Sequence, residues 1–261
     1  MDILETIVEN KRIEVALQKE AVPLERLFSL GAQRFSRQTV SMRRALKQSP
    51  SGIIAEFKRR SPSKGWLRPD AKVDEIVPAY ERNGAAACSI LTDSRFFGGT
   101  FRDLQHARSL VQLPLLRKDF IVDEYQIYQS HVLGADAILL IAACLTGEQC
   151  KNLARTAHQM ELEVLLEVHD KEELSYLNED IDLLGVNNRN LGTFHTDVEN
   201  SFRMIEHIQS EAGTADDAPL LISESGINDM NVINELRAAG FHGFLIGEAF
   251  MKIERTLTIN Q

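Results

Sequence analysis

Glu56 and Lys58 close the apolar run in IIAEFKRRSPSKG (53–65). Two residues apart on an extended strand, they share one face, with Phe57 on the other. Taken alone, such a pair also fits a structural salt bridge. Lys118 ends PLLRK (114–118), Glu167 lies in EVLLEV (163–168), and Asn187 ends LLGVN (183–187), with Arg189 just beyond it. If these strand ends open into one mouth, two ammonium groups and two carboxylates meet in a partly desolvated space. Burial and mutual charge there move proton affinities toward those of catalytic acids and bases. The lysines would donate protons or bind a carboxylate, and the glutamates would accept protons or stabilise a cation. Asn187 would orient a hydroxyl or one of the charges.

SESGIND (223–229) and LIGEAF (245–250) carry a second signal. Ser225, Gly226 and Gly247 are small enough for a phosphate to approach backbone N–H groups, as in the loops after the last two strands of a closed α/β barrel. Gly226 could instead serve only a turn, and Gly247 only a tight connection. The seven histidines form no HxH or HExxH pattern and read as surface or packing residues. His169, two residues after Glu167, can reach the mouth, whereas His195 has no evident task. Trp66 and Phe120 stand where a ring could bracket a flat substrate, and Trp66 could equally cover the rim.

The elements that would position these groups follow from the pattern. Strand candidates at 53–57, 87–91, 114–118, 137–141, 163–168, 183–187, 219–224 and 243–247 alternate with helical stretches such as 73–85, 123–135, 147–160, 171–177 and 229–240. Eight repeats of that alternation predict a (β/α)8 barrel rather than an open sheet, with its chemistry at the C-terminal strand ends. Residues 2–20 predict an amphipathic helix capped around Asp2 and Glu5, and Pro23 starts a second that Gly31 can end. Residues 1–50 are therefore expected as an N-terminal helical extension on a single domain spanning 1–261. The polar stretch 209–219 reads as a surface loop entering the seventh strand.

The net charge of −9 argues against a nucleic-acid or anionic-membrane surface, so the five cations from Lys58 to Arg68 point to a small anion. Cys88, Cys144 and Cys150 lack CxxC spacing and read as small buried side chains in a reduced compartment. The N-terminus has no signal-peptide pattern, and no apolar stretch reaches the ~20 residues of a membrane span. A cytoplasmic protein is expected.

The sequence resembles the indole-3-glycerol-phosphate synthases of tryptophan biosynthesis. IIAEFKRRSPSKG carries the resemblance most specifically, with LLRKDFIVDEYQIYQS (115–130), LLEVHD (165–170), GVNNRNL (185–191), SESGI (223–227) and LIGEAFM (245–251) in order. The resemblance implies closure of 1-(2-carboxyphenylamino)-1-deoxyribulose 5-phosphate to an indole with loss of carbon dioxide and water, without metal or organic cofactor. It implies Lys118 as general acid and Glu167 as stabiliser of the iminium charge or proton acceptor. Lys58 would contact the anthranilate carboxylate and assist hydroxyl loss, with Glu56 as partner base. Asn187 and Glu224 would hold hydroxyls and Arg189 the carboxylate, while Ser61 would fix the first loop and Phe120 pack on the ring. Backbone groups of Ser225, Gly226, Gly247 and Glu248 would receive the phosphate, under cover of the N-terminal helices. Two other readings stand beside this one, phosphoribosylanthranilate isomerase and a non-catalytic phosphate-ligand sensor. The complete EFKRRSPS loop and the retained Lys118 and Glu167 speak against both. No partner enzyme is assigned.

Overall fold

The computed structural model describes residues 3–31, 37–190, 192, 195–211 and 218–247. Eight strands form a closed parallel barrel: β1 (Ile53–Phe57), β2 (Ala87–Leu91), β3 (Leu115–Lys118), β4 (Ala137–Ile141), β5 (Glu163–Val168), β6 (Leu183–Asn187), β7 (Leu220–Glu224) and β8 (Gly243–Ile246). Each pairs with the next in sequence, and β8 returns to β1, so that Ile54 is opposite both Ala87 and Leu245. Helices cover the outside and side chains fill the inside, which is why these strands read as apolar runs without clean alternation. β3 and β7 start one residue later than the sequence suggests. Pro114 and Pro219 have no N–H to give a ladder, so pairing begins after them.

Between the strands run α4 (Val73–Arg82), α5 (Phe101–Leu110), α6 (Glu124–Leu133), α7 (Gly147–Gln159), α8 (Glu199–Glu211) and α9 (Met230–Ala239). Gly134 and Gly240 end α6 and α9 in the left-handed conformation, as their positions in the pattern predict. The helix expected at 171–177 is only a 3-10 turn, Glu172–Tyr176, pinned by buried Leu174 and by the Tyr176 hydroxyl donating to Leu145 O. The polar stretch at 209–219 begins as the last turn of α8, and 212–217 lie outside the described residues.

Ahead of the barrel come α1 (Ile3–Ala21), α2 (Leu24–Gly31) and α3 (Met42–Gln48). Asp2, half of the expected first cap, lies outside the described residues. α3 was not evident from periodicity because it has only two apolar anchors, Met42 and Leu46, both buried. Its start is fixed by Ser41, whose Oγ accepts from Arg44 N, and by Glu163 at the foot of β5, which accepts from Ser41 Oγ and Arg43 N. It covers the N-terminal end of the barrel, away from the strand ends that carry charge.

α1 and α2 lie against α6 through a small cluster of Val15, Leu27, Tyr125 and Val132. α1 is also tied to the barrel by Lys11, only 1 % exposed, whose ammonium is 3.0 Å from Asp93, 2.9 Å from Asp119 and 2.9 Å from Glu14. Arg117 and the Thr92 hydroxyl bind the other Asp119 oxygen. Burial disfavours the charged Asp119, but Lys11 and Arg117 outweigh it and hold its carboxyl down at about 2. The helix is thereby fixed over the C-terminal face, with Ile3, Leu4 and Ile7 pointing into the mouth.

Candidate active site

A cavity of about 470 Å³ opens at the C-terminal strand ends. Every site residue expected from the sequence lines it except Glu248, which lies outside the described residues. β1 delivers Glu56 and the residue after next, Lys58, whose ammonium is 2.5 Å from Glu56 Oε1. β3 ends in Lys118, β5 carries Glu167, β6 ends in Asn187 and β7 ends in Glu224.

Lys118 is the centre of the arrangement. Its ammonium donates to Glu167 Oε2 at 3.0 Å and to Glu224 Oε2 at 2.6 Å. Burial opposes its charge, but Glu167, Glu224 and the more distant Glu56 outweigh burial and push its proton affinity above the ordinary lysine value. Burial likewise opposes ionisation of Glu167, yet Lys118, His169 and Asn187 together hold it well below the usual carboxylate range. Glu224 behaves oppositely: burial dominates, Lys118 only partly offsets it, and the negative neighbours Glu167 and Glu56 help to push its carboxyl up to about 7. Two carboxylates on one ammonium thus have separated proton affinities, the condition for distinct acid and base roles near neutral pH.

Asn187 Nδ2 donates to Glu167 Oε1 at 2.9 Å, and its Oδ1 accepts from Arg189 N, so this amide is tied to a charge. Arg189 Nε donates to Thr196 Oγ1 at 3.3 Å, which folds the guanidinium along the cavity wall. Ser61 is buried and accepts from Lys64 N, bracing the loop after β1. Phe120 is buried beside Phe97, whereas Trp66 is 56 % exposed outside the cavity, with Arg60 over its ring; the rim is its place.

The basic run proves to be divided in its tasks rather than one anion site. Arg59 donates two bonds to Asp103 and one to Ala71 O, and Arg60 donates to Arg95 O, so both brace the loop. Lys58 and Lys64 alone of the five line the cavity. Across the mouth, Ser225 and Gly226 have successive positive φ values of 70° and 78°. Such a turn presents backbone N–H groups in a concavity suited to an anion. A side chain at Gly226 would also meet Thr196 Cγ2 at 2.7 Å.

Residues 4–260 match the family model described as indole-3-glycerol phosphate synthase. The chain belongs to the indole-3-glycerol phosphate synthase family. An indole-3-glycerol phosphate synthase of Bacteroides thetaiotaomicron is 57% identical over 96% of this chain and 93% of its own length. One from Neisseria meningitidis is 42% identical over 97% and 95%. Among solved structures, the tryptophan synthase α-subunit of Pyrococcus furiosus aligns with a TM-score of 0.59 at 11% identity, over 77% of this chain and 89% of that one. The N-acetylmannosamine-6-phosphate 2-epimerase of Clostridium perfringens aligns with a TM-score of 0.57 at 13% identity, over 78% and 90%. At such identities the structural likeness establishes the barrel alone. No helix among the described residues is long and apolar enough to cross a membrane.

For this member of the synthase family the structure adds Gly185, which the sequence did not single out, and a second task for Gly247. A Cβ on Gly185 of β6 would lie 2.2 Å from Glu224 Oε1, and one on Gly247 would lie 2.3 Å from Glu56 Oε1. Both glycines leave room for a carboxylate of an adjacent strand. Gly185→Ala is expected to push Glu224 off Lys118, since Leu165 at 3.2 Å blocks the other side. Overpacking of this kind costs about 1–3 kcal/mol. Turnover should fall about tenfold by steady-state kinetics, one factor of ten for each ~1.4 kcal/mol. Unchanged kcat would show that the Glu224 contact is dispensable.

Proposed function

We propose that the chain is an indole-3-glycerol-phosphate synthase acting through the Lys118, Glu167 and Glu224 cluster. The observation that carries the residue assignment is the buried ammonium shared by two carboxylates of separated proton affinity, facing one cavity with Lys58 and Glu56. In this reading Lys118 gives a proton to the ribulose carbonyl oxygen as the carboxylate-bearing ring carbon attacks the carbonyl carbon. Ring closure leaves a positive charge on the ring nitrogen, which ionised Glu167 stabilises. The carboxylate leaves as carbon dioxide, returning its bonding pair to the ring. Lys58 then protonates the departing hydroxyl, which leaves as water, while Glu56 as its partner base takes a proton from the adjacent CH2, whose C–H bonding pair becomes the new ring double bond.

Glu224 Oε1 has no hydrogen-bond partner among the described residues and is the acceptor assigned to a substrate hydroxyl. Arg189 would hold the anthranilate carboxylate and Phe120 one edge of its ring. The phosphate would sit on backbone N–H groups of Ser225, Gly226, Gly247 and Glu248, opposite the ammonium groups of the β1 loop. Of the expected extension over residues 1–50, α1 would cover the mouth of one catalytic barrel while α3 closes its opposite end, in a cytoplasmic setting. No step in this scheme requires a metal or an organic cofactor.

Carbon dioxide distinguishes this reading from its neighbours. The carboxyl-labelled substrate should release label in equal amount to indole formed, and phosphoribosylanthranilate should remain unchanged. Isomerisation of phosphoribosylanthranilate without release of label would replace the proposal with the isomerase reading.

A further inference from the structure

We propose that His169 is a positioning residue: as an imidazolium clamped between Glu167 and Glu173, it keeps Glu167 ionised and aimed at the reaction centre when Lys118 gives up its proton. This rests on the reading of Lys118 as proton donor.

Lys118 binds Glu167 Oε2 at 3.0 Å, Asn187 donates to Oε1 at 2.9 Å, and His169 Nε2 is 3.4 Å from the same Oε1. Asn187 is neutral. Once Lys118 has transferred its proton, His169 is, among the described residues, the one adjacent group able to keep a positive charge against Glu167 as the iminium forms. Without it, a buried carboxylate would take up a proton just when its charge is needed.

The surroundings of the ring select its charged form. Nδ1 is 3.4 Å from Glu173 Oε2, so each ring nitrogen lies within ion-pair distance of a carboxylate, with neither making a hydrogen bond among the described residues. A neutral imidazole has one N–H and one lone pair, and would leave that lone pair near a negative oxygen; an imidazolium carries N–H on both nitrogens and attracts both carboxylates. Glu173 is fixed in place, because the same Oε2 accepts the His169 backbone N–H at 2.6 Å. Asn200 Nδ2 holds the His169 carbonyl at 3.1 Å from the other side. The remaining ionisable neighbours do not compete. The Cys144 thiol is pushed up by burial, with Glu167 and Glu173 adding to the effect, and so stays neutral. Arg12 of α1 reaches Cys144 with a weak opposing charge, while Glu224 and Glu56 face Lys118. Burial works against the charged ring, but the two glutamates outweigh it and raise His169 to about 10.

Sign decides the test. A histidine whose folded pKa is raised is fully charged below its ordinary value of about 6.5 and loses that charge only as pH rises through about 10. In the full-length wild-type chain with ¹⁵N-labelled histidine, the signal missing from His169→Gln should titrate well above 6.5. His169→Gln keeps a hydrogen-bonding group and removes the charge. Its kcat should fall about tenfold, equivalent to one unit in the proton affinity of Glu167, with KM changed far less. The alkaline decline of wild-type kcat should contain a step at the His169 titration that the glutamine variant lacks, and His169→Lys should recover part of the loss. A ring that titrates near 6.5, or a glutamine variant with wild-type kcat and alkaline profile, overturns the proposal. If the glutamine variant does not fold, the wild-type titration, assigned with His169→Lys, still decides the charge state. Absence of indole formation by wild type would instead fail the underlying catalytic reading and the positioning role with it, whatever the titration gives.

Discussion

Lys118→Met should lose turnover by roughly 10²–10⁴-fold, the contribution of a positioned general acid, while product binding measured by titration calorimetry persists. The variant removes the proton donor and leaves the Ser225–Gly226 turn untouched, so kcat and affinity should separate. Stability should respond as well. Glu167 and Glu224 are both buried, and Lys118 is the cation they share. Removing one member of a buried ion pair typically costs about 3–5 kcal/mol, because the charge left behind is uncompensated. Glu167 keeps the charged His169 beside it, whereas Glu224, already held up at about 7 by burial, loses Lys118 and can take up a proton. Its folded-state pKa lies above the unfolded value of about 4.3, so its neutral form is stable at low pH and the penalty grows as pH rises. The difference in Tm between wild type and variant should therefore widen from pH 5 to pH 8. Retained turnover, or a Tm difference that narrows over that range, would contradict the assignment of Lys118.

Lys11→Met should be the most damaging substitution outside the catalytic cluster. It strips a buried ammonium from Asp93 and Asp119, with an expected loss of about 3 kcal/mol, the low end for a broken buried pair, since Arg117 and Thr92 remain on Asp119. Asp119 supplies a sign. Its folded pKa is depressed to about 2, so its contribution is present above the unfolded value and is lost as pH falls through about 2. The stability gap between wild type and variant should thus be largest near neutrality and shrink below about pH 4. Loosening α1 also releases Ile3, Leu4 and Ile7 from the cavity. KM should rise about tenfold, near 1.4 kcal/mol, comparable with losing part of one buried apolar side chain. Lys19→Met on the same helix is the control: Lys19 is 46 % exposed in its pair with Asp123, and such surface pairs contribute about 0–1 kcal/mol. Equal effects of the two variants on chemical denaturation would remove the special role assigned to Lys11.

Much of the site was legible because a barrel converts strand ends into a single mouth. Glu56 and Lys58 could be paired from a spacing of two, and Lys118 and Glu167 from their places at the ends of apolar runs. What escaped the sequence depends on contacts between distant segments. Lys11 sits in the polar stretch ENKRIE and looks like a solvated charge, since neither Asp93 nor Asp119 is near it in sequence. Gly185 looks like an ordinary strand glycine until the Glu224 carboxylate of the next strand is placed beside it. Glu224 was expected only to hold hydroxyls, because its 2.6 Å contact with Lys118 joins β7 to β3 across the barrel. The basic run misled for a related reason: Arg59 is taken up by Asp103, which belongs to α5. The sequence puts His169 within reach of the mouth without giving it a task, although its i, i+4 relation to Glu173 is visible in LLEVHDKEE.

On the proposed function, this barrel mouth closes an indole ring by acid–base chemistry of its own side chains. The most direct measurement is continuous fluorescence of indole formation from 1-(2-carboxyphenylamino)-1-deoxyribulose 5-phosphate by the wild-type chain, in chelator-treated buffer with nothing added. Sustained turnover that depends on enzyme concentration and is unchanged by added divalent metal is expected. A folded protein that binds this substrate and forms no indole would contradict the proposed function.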